Sequence, residues 1–144
     1  MTSSPMNVRI AGNTLQMGAL TITFHRTLRI PDNGRQYPLP PSLGAFPLRH
    51  VEDYKDRVPE NWRERGGVFL PMYQREAMWI SFNGPAHQPR AVQVAVGKVC
   101  ALTGTPWSNT LGDPSQKGGQ NYLVTPPQPW LDGICAGHGT IKQF

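Results

Sequence analysis

The sequence has 144 residues, a length that fits one domain, and its 15 prolines and 15 glycines are together about twice the ordinary share. The net charge of +5 comes from scattered arginines and lysines, and the lack of a basic cluster or nucleic-acid motif argues against nucleic acid as a partner. The first residues lack the apolar core of a signal peptide, and no apolar run reaches about 18 residues, so we expect a cytoplasmic protein without a membrane span.

The chain divides into a short N-terminal part and one β-rich domain. Residues 1–18 predict a tail followed by short strands around a turn at Gly12-Asn13. Residues 19–144 predict a single domain, whose clearest strand runs from Ala19 to Ile30 because apolar and polar side chains alternate there. The residues that share the apolar face of this strand are Leu20, Ile22, Phe24, Leu28 and Ile30.

Arg26 interrupts the alternation, because it places a cation on the apolar face of the strand. Two interpretations remain open. In the first, the side chain extends to solvent, or the strand has a bulge at this point. In the second, Arg26 is a binding residue that pairs with a carboxylate, for which Glu76 and Asp132 are the candidates, as a structural ion pair or as an anion site.

The middle of the chain predicts an extended segment followed by a helical zone. Residues 31–47 are rich in proline and favour extended chain at the surface. Residues 50–65 predict one or two short helices, with Pro59 at the first helical position and Gly66 as the C-terminal cap. We expect Trp62 to pack inward.

The stretch from Arg75 to Leu102 predicts a β-hairpin. Apolar residues alternate at 76–82 and again at 91–102, and a loop that contains glycine and prolines joins the two runs. The alternation slips by one residue near Gly97, which predicts a glycine bulge. Together with the earlier strand, these runs predict a mainly β fold, either a β-sandwich or a barrel, with one or two short helices.

Three residues are candidates for binding. A proline-rich segment at 126–129 forces extended chain and presents Trp130, the tryptophan that best fits a binding surface. Trp107, which lies near a turn, and Arg26 are the other two candidates. Further short strands are predicted at residues 121–125 and 140–144.

Asp132, Cys135 and His138 are the residue types of an orienting group, a nucleophile and a base, and they are weak candidates for catalysis. Their spacing is not specific, and two glycine-containing turns account for the same residues. Cys100 and Cys135 are expected to be free thiols. The four histidines have no metal-binding spacing, so we predict no metal site and no cofactor.

Four segments carry a resemblance over nearly the whole chain from Leu20 onward. They are FHRTLRIPDNGRQYPLPP (24–41), FLPMYQREAMWISF (69–82), NYLVTPPQPWLDGI (121–134) and GTIKQF (139–144). In this order they resemble a family of uncharacterised proteins of bacteria and fungi, which implies no activity, cofactor or catalytic residue. Members are sometimes labelled membrane proteins, which this composition contradicts, and similar proteins continue past the position of Phe144.

Two classes of function fit the sequence. The favoured one is a non-enzymatic β-rich module that binds a protein partner or itself, because proline-held aromatic residues and strand edges are predicted and no coherent catalytic set is. Self-association would use the edge of the strand at residues 139–144, where Lys142 is the only charge near the edge. The alternative is a small enzyme that uses Asp132, Cys135 and His138.

Overall fold

The computed structural model describes residues 6–137 and 139–144, and it confirms a mainly β fold. The described part contains thirteen short strands, one 3-10 helix (Val51–Tyr54) and one α-helix, α1 (Glu60–Arg65). The strands are β1 (Val8–Ala11), β2 (Thr14–Met17), β3 (Leu20–Thr27), β4 (Arg49–His50), β5 (Val68–Phe69), β6 (Ala77–Asn83), β7 (Arg90–Val92), β8 (Ala95–Val96), β9 (Val99–Cys100), β10 (Leu123–Thr125), β11 (Trp130–Leu131), β12 (Gly133–Gly137) and β13 (Thr140–Gln143).

A five-stranded antiparallel sheet in the order β1-β2-β3-β6-β11 forms the centre of the molecule. Its first three strands follow one another through two tight turns, at Gly12 with φ 60° and at Gly18 with φ 62°, backbone conformations that glycine adopts without steric cost. The strands within residues 1–18 therefore belong to the same sheet as β3. The strand order ends at β1 and β11 instead of closing on itself, so the described residues form no closed barrel.

The core lies on one face of this sheet, where the alternation of β2, β3 and β6 places their apolar side chains. Leu48 and Leu123 cover that face from outside the sheet. The buried core cluster consists of Leu15, Leu20, Ile22, Leu48, Ile80, Phe82 and Leu123. Burial of each side chain of this kind stabilises the fold by roughly 1.5–3 kcal/mol.

The proline-rich segment at residues 31–47 is extended, and its end pairs with β3 beyond the last partner that β2 provides. The amide of Phe46 donates to the carbonyl of Phe24 at 2.8 Å, and the amide of Arg26 donates to the carbonyl of Gly44 at 2.9 Å. This pairing buries Phe46 completely, which fixes the segment against the sheet.

The predicted hairpin between residues 76–82 and 91–102 is wrong. Both edges of β6 are occupied, by β3 over the whole strand and by β11 at Ser81 and Ile80, so β7 pairs with β10 instead. The slip near Gly97 is also not a bulge. It is a two-residue turn between β8 and β9, in which Gly97 has a φ of 62°.

The helical zone is confirmed, with two corrections. Pro59 is the N-cap residue of α1 and not its first helical residue, which is Glu60; Gly66, with φ 64°, donates its amide to the carbonyl of Trp62 at the C-terminus, as predicted for the cap. Trp62 does not pack inward, because it is 41% exposed and α1 contains no buried residue. A six-residue helix with a single apolar side chain has no apolar face to bury.

The C-terminal region completes the second edge of β6. Residues 130–131 form β11, and the carbonyl of Phe144 accepts a hydrogen bond from the amide of Met78 at 3.0 Å. The strand predicted at 140–144 is present as β13, which pairs with β12. Within the described residues, no helix combines the length and the apolar character needed to span a membrane.

Candidate functional site

An open groove of about 610 Å³ lies beside Trp130, and parts of residues 29–39, 130–132 and 139–143 line it. We call it the Trp130 groove. Its volume is within the range of about 300–1,000 Å³ that is typical of small-molecule sites. Trp130 is 36% exposed, so its indole is available at the wall of the groove.

The side chain of Gln143 holds the walls of the Trp130 groove together. Its Oε1 accepts a hydrogen bond from the amide of Ile30 at 2.9 Å, and its Nε2 donates to the carbonyl of Leu28 at 2.9 Å. One amide side chain thus pairs with both kinds of backbone group on the segment that follows β3. The groove exists because this contact brings residues more than 100 positions apart in sequence side by side.

The Trp130 groove carries five charged side chains, which are Arg29, Asp32, Arg35, Asp132 and Lys142. Among the described residues, none of the five takes part in an ion pair. The three cations exceed the two carboxylates by one charge. Cations that are not neutralised within the protein remain available for an anion that enters from solvent.

Asp132 differs from the other charged residues of the groove because it is partly buried at the junction of β11 and β12. Burial disfavours the ionised form and raises the pKa of its carboxyl above the ordinary value of 3.8. Its backbone carbonyl accepts a hydrogen bond from the amide of Phe144 at 3.1 Å, which fixes the backbone at this point.

The aromatic part of the groove is formed by Trp130 and Tyr37. The hydroxyl of Tyr37 accepts a hydrogen bond from Nδ2 of Asn33 at 2.8 Å, and the residue is 39% exposed. The side chain of Gln128 donates to the carbonyl of Trp130 at 2.9 Å, which anchors the backbone that carries the indole. Two partly exposed rings therefore stand in the same groove as the charged side chains.

Arg26 lies outside the Trp130 groove, and its pairing with Glu76 is confirmed. The Nε of Arg26 lies 3.3 Å from Oε1 of Glu76, a distance for an ion pair, but the geometry of a hydrogen bond is not met at that atom. The guanidinium also stacks 4.6 Å from the centre of the Phe46 ring. The structure favours the structural ion pair over the other interpretations, since the cation is held by neighbours within the protein.

Trp107 also lies outside the groove. Its indole Nε1 donates to Oδ1 of Asn109 at 2.7 Å, and its backbone amide donates to the carbonyl of Lys98 at 2.8 Å. These contacts account for its orientation on the loop after β9.

Two of the three candidates for catalysis, Asp132 and Cys135, are not joined by a hydrogen bond or an ion pair in the described part of the chain. Asp132 lines the Trp130 groove, whereas the thiol of Cys135 points to the carbonyl of Gly137 at 3.6 Å. His138 lies outside the described residues. Cys100 and Cys135 are both free thiols, as predicted. No group of three or more potential metal ligands occurs among the residues that the structure describes.

A polar cluster around His25 was not identified from the sequence. The Nδ1 of His25 lies 2.9 Å from Oγ of Ser42, and its Nε2 lies 2.8 Å from Oγ of Ser81. The ring stacks on Trp79 with 3.9 Å between ring centres. Ser81 is the cross-strand partner of Trp130, so this cluster and Trp130 lie on the same face of the sheet, opposite the core.

Sequence alternation does place His25, Trp79 and Ser81 on polar faces of two strands. Their contacts follow only from the register, in which His25 pairs with Trp79. Burial lowers the pKa of His25 below the ordinary value of 6.5.

Comparisons of the chain with protein-family models, with curated proteins and with solved structures found no match. The resemblance to a family of bacteria and fungi therefore stays a prediction.

Proposed function

We propose that this protein is a non-enzymatic binding module, and that the Trp130 groove takes a small anionic ligand with a planar or apolar group. The observation that carries the proposal is that three cations, none of which has an ion-pair partner within the described residues, line the same groove as a partly exposed indole. The indole offers a flat surface for the planar group, and the cations offer charge-assisted hydrogen bonds to the anion.

The alternative, a small enzyme built on Asp132, Cys135 and His138, has less support. The thiol of Cys135 is directed at its own strand, and the residue does not line the Trp130 groove. A nucleophile in that position has no access to a ligand bound beside Trp130.

Isothermal titration calorimetry with three naphthalene derivatives tests the proposal. The probes are naphthalene-1-sulfonate, the neutral 1-naphthalenemethanol and the cationic 1-naphthylmethylammonium, which share one ring system and differ in charge. We expect the sulfonate to bind most tightly. Equal affinity for the three probes would show that the cations do not select the ligand.

Matched variants separate the groove from the general surface charge. The double variant Arg35→Gln, Lys142→Gln is expected to weaken sulfonate binding about tenfold, since two partly exposed charge contacts are lost. The control Lys117→Gln removes a cation from an exposed loop outside the groove and is expected to leave binding unchanged.

Self-association through β13 is a second proposal, and a separate observation favours it. β13 pairs with β12 along one edge, and within the described residues no backbone hydrogen bond reaches the other edge of β13. Ile141 on this strand is 58% exposed and also lines the Trp130 groove, so a second copy paired here would cover part of that groove. An unpaired edge with an exposed apolar residue favours pairing with a second copy.

Light scattering across a concentration series tests self-association. The expected result is a mass that rises from monomer to dimer with concentration, and a variant with Ile141→Lys that stays monomeric, because charge on an edge strand opposes pairing. A wild-type mass that remains monomeric at every concentration contradicts this second proposal.

A further inference from the structure

A second groove, of about 470 Å³, lies at the helical zone and is lined by parts of residues 47–62 and 69–71. We call it the Trp62 groove. Three aromatic rings form its floor. The rings of Tyr54 and Phe69 meet edge to face with centres 5.4 Å apart, and the ring of Trp62 lies 5.6 Å from that of Phe69. Val58 and prolines 47, 59 and 71 supply the rest of the apolar lining.

The aromatic surface of the Trp62 groove is not explained by packing of the core. Trp62 is the only apolar residue of α1, and 41% of its surface is exposed. α1 contains no buried residue, so the indole does not serve to attach the helix to the core. Three of the lining residues of the groove are prolines, whose φ is fixed. An exposed aromatic floor of this kind is typical of a recognition surface.

The charge of the Trp62 groove has a single sign. Arg49 and Arg57 line it, and no carboxylate is among its lining residues in the described part of the chain. Within the same part of the chain, neither arginine takes part in an ion pair. Asp56 and Glu60 adjoin the lining residues in sequence but do not line the groove themselves. The lining itself is therefore complementary to acidic groups of a partner.

We propose that the Trp62 groove binds an extended, proline-containing peptide segment of a partner protein that carries acidic residues. Proline rings pack on aromatic floors, and the polyproline II backbone needs few hydrogen bonds from the groove because it remains solvated. The two arginines select glutamate or aspartate beside the prolines. This site shares no residue with the Trp130 groove, so the two proposals succeed or fail independently.

Fluorescence anisotropy with labelled peptides of the repeating sequence Pro-Pro-Glu tests this inference on the full chain. Two matched probes replace every glutamate by lysine, or every proline by alanine. The expected result is saturable binding of the Pro-Pro-Glu peptide and clearly weaker binding of both controls. Equal binding of the lysine peptide, or no saturable binding of the Pro-Pro-Glu peptide, overturns the proposal.

Variants locate the binding. Trp62→Ala is expected to weaken the affinity by more than about tenfold, and Arg57→Gln by about threefold. The controls Trp107→Ala and Arg75→Gln, which lie outside the groove, are expected to bind as the wild type does. An unchanged affinity in Trp62→Ala, with an unchanged far-UV spectrum, contradicts the assignment.

Light scattering on the same samples tests whether the Trp62 groove is occupied by a second copy of the chain instead of a peptide segment of a partner protein. A dimer that Trp62→Ala dissociates would assign the groove to self-association and overturn the peptide proposal. A mass that is the same for wild type and Trp62→Ala supports the peptide proposal.

Discussion

His25 shows how one side chain is placed by three separate parts of the chain. Its ring is held between the hydroxyls of Ser42 and Ser81 and lies flat on Trp79. In the neutral ring, one nitrogen donates and the other accepts, which matches two hydroxyl partners that can each do either. The partial burial that this arrangement requires disfavours the charged ring.

Stability is expected to depend on pH through His25. Its folded-state pKa is lower than the unfolded value of 6.5, so the unfolded chain binds a proton more readily than the folded protein does. The contribution to stability is present above the unfolded pKa and is lost as the pH falls below it. Urea unfolding at about pH 7.5 and about pH 5.5 measures this loss.

The variant His25→Gln provides the comparison, because its side chain retains hydrogen bonding without titrating. We expect it to lose less stability than the wild type between the two pH values. His87→Gln, which changes an exposed histidine in a loop, should follow the wild type. A loss in His25→Gln as large as that of the wild type would exclude His25 as the cause.

Anion binding in the Trp130 groove is expected to become stronger as the pH falls, because of Asp132. Burial raises its pKa above 3.8, so its carboxyl is protonated at a higher pH than an ordinary carboxyl, and it then no longer repels an anion in the Trp130 groove. The affinity for naphthalene-1-sulfonate, whose charge is constant, should increase as the pH falls toward that pKa. Calorimetry over this range should find the full increase in affinity in the control variant Asp53→Asn, which keeps Asp132. The increase should be smaller in Asp132→Asn.

At the scale of elements, alternation identified the strands more reliably than it identified their partners. β6 and the start of β3 lie within one residue of the positions that the period-2 pattern predicted, because each strand has one face on the core. β3 ends at Thr27 and not at Ile30, and Leu28 is 57% exposed and does not share the apolar face. The pairing of β6 with β7 was wrong, since adjacency in sequence does not fix which strand occupies an edge. β11, only two residues long, takes that edge, and a strand of two residues has no period to detect.

The contact between β12 and the turn after β9 depends on a glycine. Gly104 has a φ of 69°, and a Cβ atom at this position would overlap the backbone carbonyl of Cys135. The amide of Cys135 donates to the carbonyl of Ala101 at 2.8 Å, so the two segments are held at this short separation. Only a residue without a side chain fits both the backbone angle and the contact.

Gly104→Ala is therefore expected to destabilise the protein more than an alanine at an open glycine. Gly118 has a similar φ of 68° but no atom within 4 Å of an added Cβ, so Gly118→Ala measures the cost of the angle alone, roughly 1–2 kcal/mol. The clash should add about 1–3 kcal/mol to the cost in Gly104→Ala. Denaturant unfolding that finds equal losses in the two variants would contradict the close contact.

At the scale of the whole molecule, the Trp130 groove shows the limit of prediction from sequence. Trp130 and Asp132 were singled out because they follow a proline-rich segment and neighbour a turn. Arg29, Arg35 and Tyr37 were not, because nothing local indicates that their segment meets β13. That meeting depends on the side chain of Gln143, a long-range contact without a periodic pattern.

An NMR titration of the ¹⁵N-labelled chain with naphthalene-1-sulfonate shows whether an anionic ligand binds at the Trp130 groove. We expect saturable shifts of the indole N–H of Trp130 and of backbone amides in residues 29–37 and 139–143. The backbone shifts should vanish in Trp130→Leu, and both sets of shifts should persist in Trp107→Leu. Shifts confined to the Trp62 groove, shifts that survive Trp130→Leu, or no saturable shift would contradict binding at the Trp130 groove.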